Sequence, residues 1–593
     1  MRISLLLSFV AVTGLFAQTT DSLFLRVILP GSDTNRVFGP RHRIAASTLP
    51  TAKAFINGKE VKVYPTGAFV GMMTDMPVGD TPLRIVVRAA NGDSLAKEFV
   101  FRRPEGMKSS PRDEIVIDEA VLRPGQDLWL TAGEPLTVRM KGTPGEEPLF
   151  DIDGVVSGVP MRELPPSQTG GIEGIYVGRY VPDDDDACGP TAVRFRIRKN
   201  FFSSVTAYSK GLVSIIRDSL PRVAEMTGKR PFLNAGLGSD RLGGAKLGFC
   251  SPGTRVVVTG KVGDQYRVRL GETMEAWLPE EYAKLLPPET PLPEALTSSI
   301  SITGNDTADF VSLSISDKVP YLSEQQISPA ALVVNIYNAT SNTNWVTHQL
   351  TAKNIEHVKW TQVAAQQYQL TIMLRDQQHW GHDVQYVGGS LRIVLKRAPN
   401  VTDPASPLRG VKIAVDAGHG GDNNGALGST GAKEKDVNFA VASLLNAALQ
   451  AKGAVTTMVR DTDVNMSMTD RADKLFAFNP SILVSVHSNS TGEGSDAENI
   501  KGTGIYYRYT GFKPISDILY KKMLEVGFEP TGVTGSFNFS LNGPTQMVNV
   551  LVETAFMSNP EDEMKLIEPA YQKRIADKIA DGVEEFVKLK AVK

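Results

Sequence analysis

Apolar and polar residues alternate in short runs along the first two thirds of the chain, and this period of two predicts β-strands with one buried face. Such runs include RVILP, LRIVVRAA and KEFVFRRP, and Gly, Pro and Asn-Gly turns separate them. After residue 409 the pattern changes, because strand-like runs such as ILVSV and NVLVE alternate with stretches of helical period. We therefore predict a multidomain protein: several small all-β modules followed by a C-terminal α/β domain with a largely parallel sheet flanked by helices.

Chain length and proline-rich connectors indicate where the modules divide. A chain of 593 residues is long enough for about four domains at roughly 150 residues each. The segments LPPETPLPEAL and RAPNVTDPASPLR interrupt the strand pattern and mark two of the boundaries. We predict five folded segments: a β-sandwich at 18–103, a β-rich domain of unknown role at 104–219, a small barrel at 220–288, a second β-rich domain at 289–399 and the α/β domain at 400–593.

Two of these modules resemble known types. The strands and turns from Ile56 to Phe101 resemble the immunoglobulin-like modules found beside bacterial carbohydrate-active domains. The strand Tyr266–Leu270, the glycine-containing turn after it, the short strand Ala276–Leu278 and Tyr282 resemble the end of a bacterial Src-homology-3-like barrel. The resemblances imply an immunoglobulin-like fold for 18–103 and a Src-homology-3-like fold for 220–288.

The first 17 residues resemble a secretory signal peptide. A single positive charge at Arg2 precedes an apolar stretch from Ile3 to Phe16, and a small residue, Ala17, stands before the polar sequence TTDS. No other apolar run approaches the ~18 residues of a membrane span, so we expect none in the mature chain. These features predict a periplasmic or secreted protein.

Charge and cysteine content narrow the classes further. The chain has 63 Lys and Arg against 65 Asp and Glu, a net charge of -2. It therefore lacks the basic excess that nucleic-acid binding requires, and we expect no nucleic-acid partner. The two cysteines, Cys188 and Cys250, are either a disulfide in an oxidising compartment or two separate thiols.

Candidate catalytic residues follow three predicted strands of the α/β domain. The run VKIAVD leads to His419, ILVSV leads to His487, and NVLV leads to Glu553. A fourth residue, Glu434, lies 15 positions after His419 at the start of a predicted helix. Because the carboxyl ends of strands in open α/β sheets meet at one edge, we expect all four side chains to lie close together.

Two histidines and one carboxylate form a ligand set that catalytic zinc uses. We assign His419, Glu434 and His487 as ligands of one zinc ion and Glu553 as the acid/base residue, although spacing alone permits the two glutamates to exchange roles. Non-haem iron uses a similar triad, so the pattern does not select zinc. For the further pair His379 and His382 in the sequence HWGH, we expect surface positions rather than a metal site.

Several ordered motifs together resemble the zinc-dependent N-acetylmuramoyl-L-alanine amidases of bacteria. They are DAGHGG at 416–421, G-x-x-EK-x-x-N at 431–438, R-x-x-D at 460–463, Arg471, SVHSNS at 485–490 and VETAFMSNPED at 552–562. The resemblance implies zinc at His419, Glu434 and His487, catalysis by Glu553, and a structural ion pair for Arg471. The strands of 289–399 resemble the domains that localise such secreted amidases on the envelope. Val548 and Ala555 depart from the family pattern, which commonly has Pro and Gly there.

The resemblance predicts hydrolysis of the amide between N-acetylmuramic acid and L-alanine in peptidoglycan. Two other functions stay open: an envelope-binding protein that has lost catalysis, and a zinc endopeptidase that cuts within stem peptides. We expect peptidoglycan as the main partner and envelope or divisome proteins as partners of the β modules. The interval between His487 and the next strand is short, which predicts an active site without the inhibitory insertion of some family members.

Overall fold

The alternating segments that precede residue 400 form β-strands in the computed structural model, which describes residues 22–272 and 274–591. The predicted signal peptide at 1–17 lies outside the described residues. Eight strands form the first module: β1 (Arg26–Leu29), β2 (Thr34–Arg36), β3 (His42–Ser47), β4 (Lys53–Ile56), β5 (Lys59–Val61), β6 (Ala68–Met73), β7 (Gly79–Arg88) and β8 (Ser94–Arg103). They form a three-stranded and a five-stranded sheet that share one apolar cluster.

The next two predicted modules are joined by a continuous sheet. Nine strands precede residue 216: β9 (Ile117–Arg123), β10 (Leu128–Leu130), β11 (Leu136–Gly142), β12 (Leu149–Ile152), β13 (Val156–Pro160), β14 (Arg162–Glu163), β15 (Ile175–Tyr180), β16 (Cys188–Asn200) and β17 (Ser203–Ile215). Seven follow: β18 (Arg222–Met226), β19 (Phe232–Asp240), β20 (Gly243–Phe249), β21 (Arg255–Val262), β22 (Gln265–Leu270), β23 (Met274–Pro279) and β24 (Ala283–Leu285). Strand β10 pairs with both β17 and β21 and so connects the two groups. Each group nevertheless has its own apolar cluster.

Two sheets around a single apolar cluster form the fourth module. Its strands are β25 (Ala295–Gly304), β26 (Ala308–Ile315), β27 (Tyr321–Ile327), β28 (Ala330–Tyr337), β29 (Ala339–Thr340), β30 (Val346–His348), β31 (Ile355–Ala364), β32 (Gln367–Leu374), β33 (His382–Val387) and β34 (Ser390–Lys396). The domain boundaries and the immunoglobulin-like, Src-homology-3-like and envelope-targeting assignments stay predictions.

Helices flank a six-stranded sheet in the C-terminal domain. Its elements are β35 (Lys412–Ala417), α1 (Glu434–Ala451), β36 (Val455–Met458), α2 (Met468–Phe478), β37 (Ile482–Asn489), β38 (Thr503–Tyr506), α3 (Lys513–Leu524), β39 (Pro530–Thr534), β40 (Val548–Phe556), α4 (Pro560–Ile567) and α5 (Pro569–Ala591). The strand order is β36-β35-β37-β40-β38-β39. Four neighbouring pairs are parallel, but β38 runs antiparallel to β40. The sheet is therefore mixed, and the expectation of a largely parallel sheet is confirmed only in part.

Local sequence explains the helix bounds in this domain. The apolar positions of α1 recur at helical spacing and are buried, and Gly453 stops the chain just after the helix with φ 87°. Ser467 caps α2 by accepting a hydrogen bond from the backbone N–H of Asp470, and Asn559 caps α4 in the same way. These caps fix where the loops that follow the strands begin and end.

The buried C-terminal core includes a tryptophan from the preceding module. Trp380 is 1% exposed and belongs to the apolar cluster formed by the sheet and by helices α1, α3 and α5. Its ring lies 5.2 Å from the ring of Phe586 on α5. Among the described residues, no helix combines the length and hydropathy required to span a membrane.

The two cysteines are separate thiols in the structure. Cys250 is buried, its Sγ lies 3.6 Å from the carbonyl oxygen of Tyr321, and burial raises the thiol pKa to about 12. Cys188 is half-buried at the start of β16. Of the two alternatives left open by the sequence, the structure has the unpaired one.

Candidate metal centre

The three predicted metal ligands meet at the carboxyl edge of the sheet. His419 follows β35, Glu434 is the first residue of α1, and His487 lies near the end of β37. One ligand atom from each lies within 4.8 Å of the others. Oε1 of Glu434 is 3.0 Å from Nε2 of His419 and 3.3 Å from Nδ1 of His487. The parallel pairing of β35 with β37 produces this convergence, as the sequence predicted.

Glu434 is held by hydrogen bonds from three other groups. Its Oε1 accepts from the Asn438 side-chain amide at 3.0 Å and from the backbone N–H of Ser488 at 3.1 Å. Its Oε2 accepts from the backbone N–H of Ala426 at 2.8 Å. Asn438 is one helical turn further along α1, and its Oδ1 accepts from the Ser488 hydroxyl. The carboxylate orientation is therefore fixed by the helix and by the neighbouring strand.

His419 has a strained backbone that a buried ion pair supports. Its φ is 63°, in the left-handed region that non-glycine residues rarely adopt. Arg471 donates hydrogen bonds to the carbonyl oxygens of His419 and Ala417, and its guanidinium pairs with Asp416 at 2.5 Å. Arg471 and Asp416 are both buried. The ion pair expected of Arg471 is present, and it anchors the loop that carries His419.

A hydrogen bond to the His419 side chain determines which of its two ring nitrogens points towards Glu434 and His487. Nδ1 of His419 lies 3.0 Å from Oδ1 of Asn423, which leaves Nε2 directed towards Glu434. The sequence does not single out Asn423, because an asparagine in a glycine-rich loop is ordinary turn chemistry and carries no separate signal.

The two residues of the R-x-x-D motif, Arg460 and Asp463, also form hydrogen bonds with the loop that carries His419. Arg460 donates to the carbonyl oxygens of Ala417 and Lys435, and Asp463 accepts from the backbone N–H of Gly421 at 2.7 Å. Lys435 Nζ pairs with Asp463 at 2.6 Å. Burial lowers the pKa of Arg460, and the positive charge of Arg471 lowers it further. These residues position the histidine loop and the start of α1 relative to each other.

Two glycines permit the close approach of the ligands. A Cβ on Gly418 would overlap the imidazole of His487. Gly425 has φ 66°, and a Cβ there would lie 2.5 Å from Oε2 of Glu434. The glycines of this loop therefore leave space for the ligand side chains as well as allowing the turn.

Glu553 lies beside the cluster but outside it. It is opposite His487 in the register of β37 and β40, and it is also paired with Gly504 of β38. Its side chain is half-buried, and Oε2 has no hydrogen-bond partner among the described residues. Burial raises the Glu553 pKa to about 7; the charges of His487 and His419 oppose this rise, whereas that of Glu434 adds to it. A carboxyl with a pKa near neutrality suits proton transfer.

The charges within the cluster shift each other's titration. Burial by itself would raise the pKa of Glu434, but hydrogen bonds to His419 and His487 lower it well below its ordinary value. Burial by itself would lower the pKa of His487, whereas Glu434 raises it above its ordinary value. Glu434 is therefore the ionised carboxylate of the cluster and Glu553 the more readily protonated one.

The expectation that His379 and His382 lie on the surface is wrong. Both are buried, at 4% and 2% exposure. Nε2 of His379 lies 2.8 Å from the carbonyl oxygen of Gln326, and Nε2 of His382 lies 2.9 Å from the hydroxyl of Ser323. The backbone N–H of His382 donates to the carbonyl of Thr545 in the C-terminal domain. They are buried because the fourth module packs against that domain, which local sequence does not indicate.

The short interval between β37 and β38 is held by hydrogen bonds to the first module and to Asn559, the residue that caps α4. The carbonyl oxygen of Glu493 accepts from the backbone N–H of Arg43 in the first module. The side-chain amide of Asn559 donates to the carbonyl oxygens of Ala497 and Glu498. The His419 side chain, at 24% exposure, keeps contact with solvent.

Comparison with known proteins gives a family match within the C-terminal domain. Residues 413–585 match the family described as N-acetylmuramoyl-L-alanine amidase. The uncharacterized protein YqiI of Bacillus subtilis is 32% identical over 187 residues, which are 31% of this chain and 87% of YqiI. The N-acetylmuramoyl-L-alanine amidase LytC of the same organism is 30% identical over 186 residues, 30% of this chain. The match covers only 36% of the length of LytC.

A solved structure also matches part of the chain. The catalytic domain of CwlV, an N-acetylmuramoyl-L-alanine amidase from Bacillus (Paenibacillus) polymyxa var. colistinus, is 28% identical and matches with a TM-score of 0.29. That match covers 30% of this chain and 99% of the CwlV domain. The residues matched by the family contain all four predicted site residues, and the match with YqiI covers most of the length of that relative. Through its C-terminal domain, the chain belongs to the N-acetylmuramoyl-L-alanine amidase family of bacterial cell-wall enzymes.

Proposed function

We propose that this protein hydrolyses the amide bond between N-acetylmuramic acid and L-alanine in peptidoglycan, with one zinc ion held by His419, Glu434 and His487. The observation that carries the proposal is the convergence of these three ligand atoms within 4.8 Å beside the half-buried Glu553, whose Oε2 has no hydrogen-bond partner among the described residues. The relative LytC, named as an N-acetylmuramoyl-L-alanine amidase, supports the choice of bond. We place the protein outside the cytoplasm, where that substrate is found.

The donor set fits zinc. Two imidazole nitrogens and one carboxylate oxygen form the three-ligand set of many catalytic zinc sites, which leave a position open for water or substrate. Asn423 and Asn438 hold His419 and Glu434 in the orientation that such ligands require. When bound there, zinc would lower the pKa of a coordinated water and polarise the substrate carbonyl.

Glu553 supplies the proton transfers. Its carboxylate accepts a proton from the attacking water, and its carboxylic acid then donates that proton to the nitrogen of the leaving L-alanine. The raised pKa supports both steps, because a group near neutrality exists in both protonation states at physiological pH. Its position opposite His487 places it next to the ligands without its being one of them.

Digestion of purified peptidoglycan tests the proposal. We expect mass spectrometry to find new amino termini on L-alanine, and we expect the activity to disappear with a chelator and return with zinc. Cleavage elsewhere in the stem peptide would identify an endopeptidase instead. No cleavage by the zinc-loaded protein would identify a binding protein without catalysis.

Glu553→Gln tests the acid/base assignment, because the substitution keeps the shape of the side chain and removes its proton transfer. We expect kcat to fall by roughly 10²- to 10⁴-fold with zinc still bound. Glu568→Gln is the matched control: Glu568 is exposed between α4 and α5, and its side chain makes no hydrogen bond or ion pair among the described residues. Undiminished activity of Glu553→Gln would refute the role of Glu553.

A further inference from the structure

A hairpin of the 220–288 module lies against the wall of the metal centre. Strands β19 and β20 form this hairpin. The carbonyl oxygen of Gly244 accepts a hydrogen bond from the Asn538 side-chain amide at 2.7 Å, and that of Lys246 accepts from Arg508 at 2.6 Å. Two backbone positions of β20 are therefore fixed to the C-terminal domain.

The segment that holds the hairpin is itself part of the site. Phe539 places its ring 5.4 Å from the ring of His487, and Phe537 places its ring 4.6 Å from that of Tyr506. Asn538 lies between these two phenylalanines. The residue that binds the hairpin is therefore the chain neighbour of an aromatic side chain that packs against a proposed zinc ligand.

The same module is docked at a second place on the C-terminal domain. Arg230 pairs with Asp473 of α2 at 3.4 Å and lies over the ring of Phe476 at 5.0 Å. Lys229 pairs with Asp473 at 2.9 Å. Because the module contacts both α2 and the Asn538 segment, the hairpin is held at two separate points on the C-terminal domain.

Arg241 occupies the tip of the hairpin. The turn is held by a hydrogen bond from the backbone N–H of Leu242 to Oδ1 of Asp240 at 2.7 Å. Arg241 is exposed and has no ion pair or side-chain hydrogen bond among the described residues. Arg241 is three positions before Gly244, whose carbonyl is bonded to Asn538 between the phenylalanines that pack against His487 and Tyr506, so the tip lies next to the site. In keeping with this position, the charge of Arg241 opposes the rise in the pKa values of Glu553 and Tyr506 that burial causes.

Two further cations, Lys246 on β20 and Arg508 of the C-terminal domain, lie where the hairpin meets that domain. Neither Lys246 nor Arg508 forms an ion pair among the residues that the structure describes. Burial lowers the Lys246 pKa, and the charge of Arg508 lowers it further. This side of the site has an excess of positive charge, which is complementary to an anionic group on a ligand.

The proposed function indicates which part of the substrate lies there. If Glu553 donates a proton to the leaving nitrogen, the peptide that departs begins next to Glu553, on the side where Arg241 acts. We propose that Arg241 is a specificity-determining residue that binds a carboxylate of the stem peptide, on the leaving-group side of the scissile amide. The inference rests on the proposed function and adds to it a residue from a non-catalytic module.

The test compares two N-acetylmuramoyl-L-alanyl peptides that differ at one group. One has a free carboxylate on the residue after alanine, and the other has a carboxamide there. With the zinc-loaded full chain, we expect Arg241→Ala to raise KM for the carboxylate peptide by about tenfold, as for a partly solvated ion pair, with kcat unchanged. KM for the carboxamide peptide stays the same. Arg241→Lys retains part of the preference, and Arg241→Glu raises KM further.

Arg179→Ala is the matched control. Arg179 is exposed on β15 and makes no ion pair or side-chain hydrogen bond within the described ranges, so neither KM changes. Equal KM changes for both peptides, or none, in Arg241→Ala would overturn the inference and leave the amidase function intact. A rise in kcat for both peptides would overturn it too and would identify the hairpin as an obstruction. If the wild type cleaves neither peptide, the proposed function fails and the inference fails with it.

Discussion

Asn438→Ala removes a side chain that orients a proposed zinc ligand without touching the metal position. Asn438 is fully buried, and its amide donates to Oε1 of Glu434, the atom that also faces His419 and His487. Its loss leaves the backbone N–H of Ser488 as the remaining donor to that oxygen from outside the cluster. We expect Glu434 to gain rotational freedom and zinc affinity to fall.

The size of the fall follows from the strength of the lost contact. A hydrogen bond to an ionised carboxylate contributes about 1.5–3 kcal/mol, and a factor of ten in affinity corresponds to about 1.4 kcal/mol. If this energy appears entirely in binding, zinc affinity falls about 10- to 150-fold. Loss of partners behind metal ligands typically costs about 10- to 100-fold, so we expect a change within that range.

Competition with a chromophoric chelator measures the zinc dissociation constant directly, without dependence on catalysis. Asn446→Ala is the matched control, because Asn446 lies on the same helix, is half-buried, and its Oδ1 has no partner among the described residues. We expect the control to bind zinc like the wild type. Equal affinity in Asn438→Ala and the wild type would refute the reasoning that this hydrogen bond positions Glu434.

Two further predictions address packing and pH. Gly418→Ala places a methyl group where the His487 ring lies. We expect calorimetry to show that this substitution reduces zinc affinity about tenfold or more. Gly389→Ala is the control, because a Cβ there has no atom within 4 Å, and we expect its zinc affinity to be unchanged. Burial, with a smaller effect of His379, lowers the His382 pKa to about 3 from an ordinary 6.5. Below about pH 6.5, His382 is therefore protonated in the unfolded chain but stays neutral in the folded chain. The free energy of unfolding consequently falls by about 1.4 kcal/mol for each pH unit as the pH decreases below about 6.5. Denaturant unfolding between pH 7 and pH 5 measures this slope; an identical slope in His382→Gln would contradict it.

The convergence at the metal centre was predictable because it depends on one topological rule. His419 and His487 follow strands that a parallel sheet places side by side, and Glu434 begins the helix between them. Asn438 stands in a motif that the sequence displays, although its contact with Glu434 is visible only in three dimensions. The sequence was least informative about strand direction: the hydrophobic pattern of β38 does not state that it runs antiparallel to β40.

Contacts between modules account for what the sequence did not reveal. Arg241 lies 312 positions before Glu553 in the chain, in a turn of ordinary composition, and no local pattern connects the two. His379 and His382 occupy a polar stretch whose sequence predicts an exposed position, but the C-terminal domain covers it in the structure. Pairing of β10 with β21 likewise joins segments that the sequence presents as separate. Each of these depends on tertiary packing rather than on local periodicity.

The position of Trp380 bears on how the enzyme domain is produced in isolation. A recombinant fragment that starts at residue 400 contains every proposed catalytic and metal-binding residue but lacks this indole. Phe586 and its neighbours on α5 would then face a void or solvent, at a cost of about 3–5 kcal/mol for a buried tryptophan. A fragment that begins before residue 378 retains the Trp380 side chain within the apolar core of the C-terminal domain. Exchange of the C-terminal domain between proteins would have to carry this short upstream stretch along.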